Sequence, residues 1–264
     1  MSRRVIGLVA SLGLVIALAT PVAAISYGQI DADNAYGNVG ALIGEVDEGL
    51  FVFCTGTLIS PTVFLTAAHC VDDGAPMSVS FDPAIPEDPD TGVVLVGELA
   101  TYYTGTAHAH PMFDCCGMND TFDIAVVVLD QAVAGIAPAS LPTENLLGQM
   151  SAKELKSATF VTAGYGTVRD TRKKAFQSLF WDPQRRFVAQ TANSLTDAWL
   201  TLSMNQATGD GGTCYGDSGG PHFLGGTVVS LTVTGDIWCK ASDKTYRVDT
   251  PVARDFLDDY VALP

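Results

Sequence analysis

Positively charged residues are scarce in this chain of 264 residues, which has 14 Lys and Arg against 29 Asp and Glu and a formal net charge of −15. A field of that sign repels phosphate backbones and anionic lipid headgroups. The composition therefore argues against nucleic acid and membrane surfaces as partners. A net charge this far from zero also favours solubility outside the cell.

Long apolar runs are absent after residue 24. Before it, Arg3 and Arg4 precede an apolar stretch at residues 5–19, and Ala23 and Ala24 follow. This order is typical of an export signal, so we predict that residues 1–24 are removed on secretion. The alternative is a membrane anchor, which would need a run of about 20 apolar residues. Without residues 1–24 the chain has 12 Lys and Arg against 29 Asp and Glu, a net charge of −17.

Helical periodicity is scarce, and the chain has neither an internal repeat nor a low-complexity tract. Instead, short segments rich in Val, Thr, Leu and Phe recur between turn residues, a pattern typical of β-strands. These segments are residues 39–44, 50–54, 63–67, 93–96, 124–129, 158–162 and 228–233. We therefore predict an all-β sandwich or barrel.

A stretch that contains Gly and Pro, at residues 131–149, separates two strand-rich halves. We predict that it connects two lobes, residues 25–148 and residues 149–264. A helix is predicted at the end of the second lobe, because Thr250 is a good N-cap and Pro251 suits the first turn. Val252, Phe256 and Tyr260 recur at i+4, so we expect that face to pack on the second lobe.

A serine lies between glycines in the sequence GDSGGP at residues 216–221. Glycine lets the backbone turn tightly, so the N–H groups of Gly216 and Ser218 can point at one place. Two such donors can stabilise the oxyanion that forms when a serine attacks a carbonyl group. Serine-dependent hydrolysis also needs a base that accepts the hydroxyl proton and a carboxylate that orients the base.

Two more segments supply those groups, LTAAHC at residues 65–70 with His69 and DIAVVVL at residues 123–129 with Asp123. With the order His, Asp, Ser, residues 25–264 resemble the trypsin/chymotrypsin family of serine proteases, in a secreted, bacterial-type form. The resemblance implies an all-β fold of two six-stranded antiparallel Greek-key β-barrels with a C-terminal α-helix. His69 and Asp123 would lie in the first barrel and Ser218 in the second.

The resemblance implies a serine endopeptidase in which Ser218 is the nucleophile and His69 is the general base and then the general acid. Asp123 would be the buried acceptor that fixes the imidazole. Gly216 and Ser218 would form the oxyanion hole, and Ser230 would hydrogen-bond Asp123 from the second lobe.

Six cysteines in an exported chain should be oxidised, although the sequence alone leaves their pairing open. The resemblance implies two disulfides, Cys54–Cys70 and Cys214–Cys239. Cys115 and Cys116 remain, and as neighbours they can bridge only through a strained ring. We favour that local disulfide over a redox role, and pairing with other chains or free thiols stay open. His108 and His110 lie nearby and make zinc an alternative, but we expect no metal.

An activation step is also implied, in which a free amino-terminal Ile pairs with the aspartate before the nucleophile. Cleavage after Ala24 would expose Ile25, and Asp217 is the matching aspartate. Export itself would then generate the active form. The alternative is that Ile25 begins a frayed terminus.

The substrate pocket implied by the resemblance comprises Gly212, Thr213, Ser230, Leu231 and Thr232. The residue six positions before the nucleophile lies at the pocket base, and here it is Gly212 rather than an aspartate. With Thr232 narrowing the entrance, we predict a preference for small or medium apolar residues before the scissile bond (P1). The alternative places Lys244 at the base, which would favour acidic side chains.

We expect no cofactor, with calcium as an alternative. An acidic loop follows the histidine at about the distance where some relatives bind calcium, and it offers Asp82, Glu87, Asp88 and Asp90. Its three prolines favour a solvated loop instead.

Two other functions stay open. A catalytically silent member of the fold could act as a binding protein. An α/β-hydrolase esterase would use a Gly-x-Ser-x-Gly turn, which residues 216–220 match in spacing, but its chain order Ser, Asp, His is absent. We expect a monomer that acts on proteins or peptides.

Overall fold

The first half of the chain forms a closed antiparallel barrel in the computed structural model, which describes residues 25–114, 120–169, 173 and 175–264. After a short β1 (Gln29–Ile30), the six barrel strands are β2 (Val39–Val46), β3 (Gly49–Ser60), β4 (Val63–Thr66), β5 (Pro76–Ser80), β6 (Tyr103–Ala109) and β7 (Ala125–Leu129). Their order is β2-β3-β4-β7-β6-β5, and pairing of β5 with β2 closes the barrel. The predicted export signal, Cys115 and Cys116 lie outside the described residues.

The strands of the second half are β8 (Phe160–Gly164), β11 (Arg186–Gln190), β12 (Ala192–Leu195), β13 (Trp199–Ser203), β14 (Pro221–Leu224), β15 (Thr227–Gly235) and β16 (Ser242–Arg247). Together with β1 they form an eight-stranded sheet in the order β1-β11-β8-β14-β15-β16-β13-β12. A separate hairpin joins β9 (Val168–Arg169) and β10 (Leu179–Phe180). The two-lobed, all-β prediction is confirmed, but the second lobe is an open half-barrel, to whose edge the N-terminal β1 adds. The antiparallel pairing also excludes the α/β-hydrolase alternative.

The predicted strands exist wherever their apolar residues are buried on both faces. All four residues of β4 are buried, as are Ala125, Val126 and Val127 of β7. The prediction for residues 93–96 is wrong. Val94 forms only an isolated bridge with Glu87, and the next residues form a 3-10 turn, Val96–Glu98.

The described residues form two α-helices, α1 (Ala152–Ser157) and α2 (Pro251–Asp258). The predicted N-cap of α2 is confirmed, since the Thr250 side chain accepts a hydrogen bond from Ala253 N. Its buried residues are Ala253, Phe256 and Leu257. The predicted face is therefore wrong at Val252, which is 38% exposed. The expectation that the Phe256 and Tyr260 face packs on the second lobe is incomplete, because these rings also contact His110 and His108 of the first half. No helix among the described residues is long and apolar enough to cross a membrane.

A fully buried Arg185 crosses the seam between the two lobes. Its Nε donates to Asp31 Oδ2 at 2.9 Å, and its Nη1 donates to Val39 O at 3.1 Å and to Phe81 O at 3.0 Å. The same Nη1 lies 3.0 Å from the hydroxyl of Tyr165. A buried charge is tolerated when it is paired and fully hydrogen-bonded, and this arrangement supplies both conditions.

Candidate active site

His69 and Asp123 are brought together by the register of two barrel strands. β4 pairs with β7 so that Thr66 lies opposite Ala125. His69 follows the end of β4 in a 3-10 turn, Ala68–Cys70, and Asp123 lies two residues before β7. Because the strands are antiparallel, both side chains emerge at the same rim of the barrel.

Two hydrogen bonds join these residues. His69 Nδ1 lies 2.7 Å from Asp123 Oδ2, and the backbone N–H of His69 donates to Asp123 Oδ1 at 3.0 Å. An ionised carboxylate can only accept, so Nδ1 carries the proton and Nε2 is left as the basic nitrogen. The Asp123 side chain is 6% exposed and the His69 side chain is 32% exposed. The pair is therefore anchored inside the barrel and open to solvent at the imidazole.

The serine loop of the second lobe packs on the strands of the first barrel that lead to His69. Thr55 of β3 donates its N–H to Ser218 O at 2.9 Å and its hydroxyl to Gly216 O at 2.9 Å. Gly219 has φ +76°, and a Cβ there would overlap Thr66 Oγ1. Only glycine allows this approach, which places the loop beside the segment that ends in His69.

Ser218 and His69 are not hydrogen-bonded to each other among the described contacts, and such bonds often form only when substrate binds. Neither the Gly216 N–H nor the Ser218 N–H donates to a backbone carbonyl of the described residues. Both donors are therefore available to an external oxygen.

Both disulfides implied by the resemblance are present. Cys54 pairs with Cys70, and Cys214 pairs with Cys239. The first bridge fixes the histidine turn against β3, and the second joins the serine loop to the segment after β15. Each closed loop, of 16 and 25 residues, should stabilise the fold by about 3 kcal/mol.

Asp217 is a buried carboxyl group that has no basic side-chain partner among the described residues. Its oxygens accept from Gly166 N at 2.8 Å and from Cys214 N at 2.9 Å. Burial raises its pKa to about 7 even though those backbone bonds lower it. Ile25 is fully buried, and the next residue, Ser26, accepts a hydrogen bond from Gly212 N at 3.0 Å. The amino-terminal segment is thus packed against the serine lobe.

The space beside Gly212 is filled by an apolar side chain. A Cβ at Gly212 would overlap Met204 Cγ, and the Gln190 amide lies close to it. Thr213 is buried next to it. Met204, which directly follows β13, therefore packs against the backbone at the base of the candidate pocket. No motif marks this contact in the sequence, although Met204 lies close to Gly212 along the chain.

The predicted pocket wall is displaced by three residues. Thr232 donates its N–H to Gly220 O, and its carbonyl accepts from Gly219 N. With this pairing, Ser230, Leu231 and Thr232 are buried. The accessible part of β15 begins after Thr232, at residues 233–235.

The predicted contact between Ser230 and Asp123 is also wrong. Ser230 Oγ accepts from Thr245 Oγ1 at 2.8 Å, in the interior of the second sheet. Lys244 does not reach the pocket base either, because its Nζ lies 4.1 Å from the centre of the Trp199 ring.

The acidic loop holds its carboxylates apart. Asp82 accepts from Ala100 N and from Thr101, and Asp88 accepts from Asp90 N and Thr91. The one group of three candidate metal ligands among the described residues is Cys54, His69 and Cys70, in which the cysteines are bonded to each other.

The two histidines considered for zinc lie in aromatic contacts. His108 packs on Tyr260, whereas His110 stacks on Phe122 and packs on Phe256. Burial lowers the pKa of His110, against the opposing effect of a nearby aspartate.

Glu87 has a different role from the one considered in the sequence. Its carboxylate accepts from the indole N–H of Trp181 at 2.7 Å, and that ring covers Gly216. Burial raises the pKa of Glu87, and the indole bond partly offsets this. The sequence carried no signal for this contact, because the two residues are 94 positions apart.

Comparisons with known proteins agree with this geometry. The Trypsin family model matches residues 34–258. Brachyurin of Leptuca pugilator is 31% identical to this chain over 193 residues, which cover 69% of this chain and 76% of brachyurin. A trypsin of Phaedon cochleariae is 28% identical over 193 residues, which cover 69% of each chain. The solved structure of HL collagenase has a TM-score of 0.66 at 16% identity, covers 90% of this chain and all of its own, and supports the fold alone. The chain belongs to the trypsin family and is a serine endopeptidase.

Proposed function

We propose that the chain is a secreted endopeptidase that cleaves peptide bonds through an acyl-enzyme on Ser218, with His69 and Asp123 as the other members of its catalytic triad. The observation that carries this proposal is the His69–Asp123 pair at 2.7 Å, next to which the serine loop is docked. Nδ1 is held by the carboxylate, so Nε2 faces away from Asp123 as a base. Two disulfides fit the oxidising environment outside the cell.

The chemistry follows from these positions. His69 Nε2 takes the proton of Ser218 Oγ as the oxygen attacks the substrate carbonyl carbon, and Asp123 stabilises the imidazolium that results. The negative charge that develops on the carbonyl oxygen is met by the N–H groups of Gly216 and Ser218. His69 then gives the proton to the leaving amine, and water releases the acyl group by the same steps in reverse.

Fluorophosphonate labelling tests the assignment of the nucleophile, because only an activated serine reacts rapidly. We expect the wild type to be labelled, Ser218→Ala to be unlabelled, and Ser194→Ala, which changes an exposed serine of β12, to be labelled like the wild type. Labelling that persists in Ser218→Ala would place the nucleophile elsewhere. A folded wild type that is neither labelled nor able to cleave any peptide would support the alternative of a silent binding protein.

Removal of residues 1–24 would supply the missing partner of Asp217. A free ammonium at Ile25 would pair with this buried carboxyl group, whose pKa burial raises. Ile25 also has φ 34°, a region that β-branched residues rarely adopt, and a chain that begins there has no such constraint. Amino-terminal sequencing of the secreted protein should begin at Ile25, and any other start would contradict this activation.

We propose a preference for small or medium apolar side chains at P1, because the side chain that packs on Gly212 is the apolar Met204. This argument replaces the one from Thr232, which is buried. Profiling with a peptide library should give cleavage after Ala, Val or Leu. Cleavage mainly after Arg or Lys would contradict it and would point to Asp243, a buried acid that is linked to Gln190 at 3.2 Å and has one oxygen without a partner among the described residues.

A further inference from the structure

The net negative charge of the protein arises from its first half. Residues 25–152 contain 17 Asp and Glu and no Lys or Arg, whereas residues 153–264 contain 12 of each. The net charge of −17 that remains without residues 1–24 therefore belongs to the first half alone. Arg185 enters that half from the other lobe, but it is buried and bonded to Asp31. A molecule that binds along the surface of the first barrel is exposed to a strongly negative electrostatic potential.

A cleft of about 820 Å³ runs along this barrel from His69. Its wall combines exposed apolar side chains with three exposed carboxylates. Phe53 is 39% exposed and Val46 is 53% exposed. The carboxylates belong to Glu45, Asp47 and Asp72, and the described lining contains no Lys or Arg.

The cleft lies on the leaving-group side of the reaction. His69 hands its proton to the leaving amine, so the amine and the residues after it must extend past the imidazole. All the residues that line the cleft belong to the first barrel, whereas the candidate P1 pocket is built from the second lobe. Phe53 also lies two residues before Thr55, which holds the serine loop. A peptide that crosses Ser218 from the P1 pocket therefore continues into this cleft.

We propose that this cleft selects polypeptides that carry a basic side chain within the three residues after the scissile bond. The aliphatic part of a Lys or Arg side chain would lie on Phe53 and Val46, and its charge would approach Glu45, Asp47 or Asp72. The inference rests on the proposed catalytic function and adds a substrate class to it. Each carboxylate is exposed, so each pair contributes modestly, and the three together should favour a basic peptide roughly tenfold.

Three internally quenched peptides test the proposal. They share one acyl side and differ only at the second and third residues after the cleavage site, which are Arg-Arg, Gln-Gln or Glu-Glu. For the wild type we expect kcat/KM to fall in that order, with a ratio of roughly ten between the first two at low salt. The ratio should shrink in 0.5 M NaCl, because salt screens exposed charges. Mass spectrometry of the products verifies that all three are cut at the same bond.

Two variants of equal charge separate the cleft from the general field. In the triple variant Glu45→Gln/Asp47→Asn/Asp72→Asn, the ratio of kcat/KM for the Arg-Arg peptide to that for the Gln-Gln peptide should approach one. In the control Asp33→Asn/Glu98→Gln/Glu144→Gln, which neutralises three exposed acids of the same half outside the cleft, it should stay near the wild-type value.

A wild-type ratio near one, or equal losses in both variants, would overturn the inference while leaving the protease assignment intact. An enzyme that is inert toward all three peptides and toward fluorophosphonate would overturn the proposed function and this inference with it.

Discussion

Asp217 should make the stability of the protein depend on whether Ile25 has a free amino group. With a peptide bond before Ile25, the carboxyl group is buried without a cation, and its pKa is raised to about 7 from 3.8. The folded state then prefers the protonated acid, whereas the unfolded chain ionises near 3.8. The contribution of Asp217 to the free energy of unfolding is therefore fully present below about pH 4 and is lost as the pH rises through 7.

The size of the loss follows from that difference in pKa, which corresponds to roughly 4 kcal/mol at about 1.36 kcal/mol for each pH unit. A free ammonium at Ile25 would favour the ionised carboxylate and would remove most of the loss up to about pH 7.5, above which the amino group of the unfolded chain begins to deprotonate.

The assay compares two proteins with intact disulfides, one beginning at Ile25 and one with Ala24 retained. Urea unfolding at pH values from 4.5 to 7.5 should show the free energy of unfolding of the longer protein falling below that of the shorter one by up to roughly 4 kcal/mol. In Asp217→Asn versions of both proteins the difference should vanish. Parallel pH profiles for the two parent proteins would refute the reasoning.

Three further outcomes are expected. Asp123→Asn should lower kcat by about four orders of magnitude with little change in KM, which is the size of effect known for a serine-protease triad. The reason is that the wrong imidazole tautomer would face Ser218, and an unchanged kcat would remove Asp123 from the triad. Gly219→Ala should abolish activity by displacing the serine loop, whereas Gly225→Ala, also at positive φ but with open space around it, should retain activity; similar activities would contradict the packing argument. Thr250→Ala should lower the free energy of unfolding by about 1 kcal/mol, against almost no change for the exposed Val252→Ala, as measured by urea titration.

The sequence was sufficient for features that depend on local motifs. His69 and Asp123 adjoin β4 and β7, whose residues are mostly apolar and buried, and Ser218 stands in a short glycine motif, so these elements and their order along the chain could be predicted. The two disulfides followed from the same resemblance. The N-cap of α2 followed from Thr250 and Pro251, since capping is a matter of neighbouring residues.

Strand register and contacts between distant segments could not be predicted. A slip of three residues on β15 moved the pocket wall from Ser230 to the residues after Thr232, because hydrogen bonds to Gly219 and Gly220 set the register. Met204 was missed although it lies close to Gly212 in the sequence, because only the folded turn between them brings its side chain onto the glycine. These features arise from tertiary packing, which one sequence read in order does not reveal.

Arg185 couples the two halves into one cooperative unit. Separated from its neighbour, the second half would have to leave a guanidinium without its carbonyl and carboxylate acceptors, and the first half would leave Asp31 buried without a cation. Neither half is therefore expected to persist as a folded fragment, and the protein should melt in a single transition. Since the proposed nucleophile, Ser218, and the proposed base, His69, come from opposite halves, a partly unfolded molecule would carry no proteolytic activity.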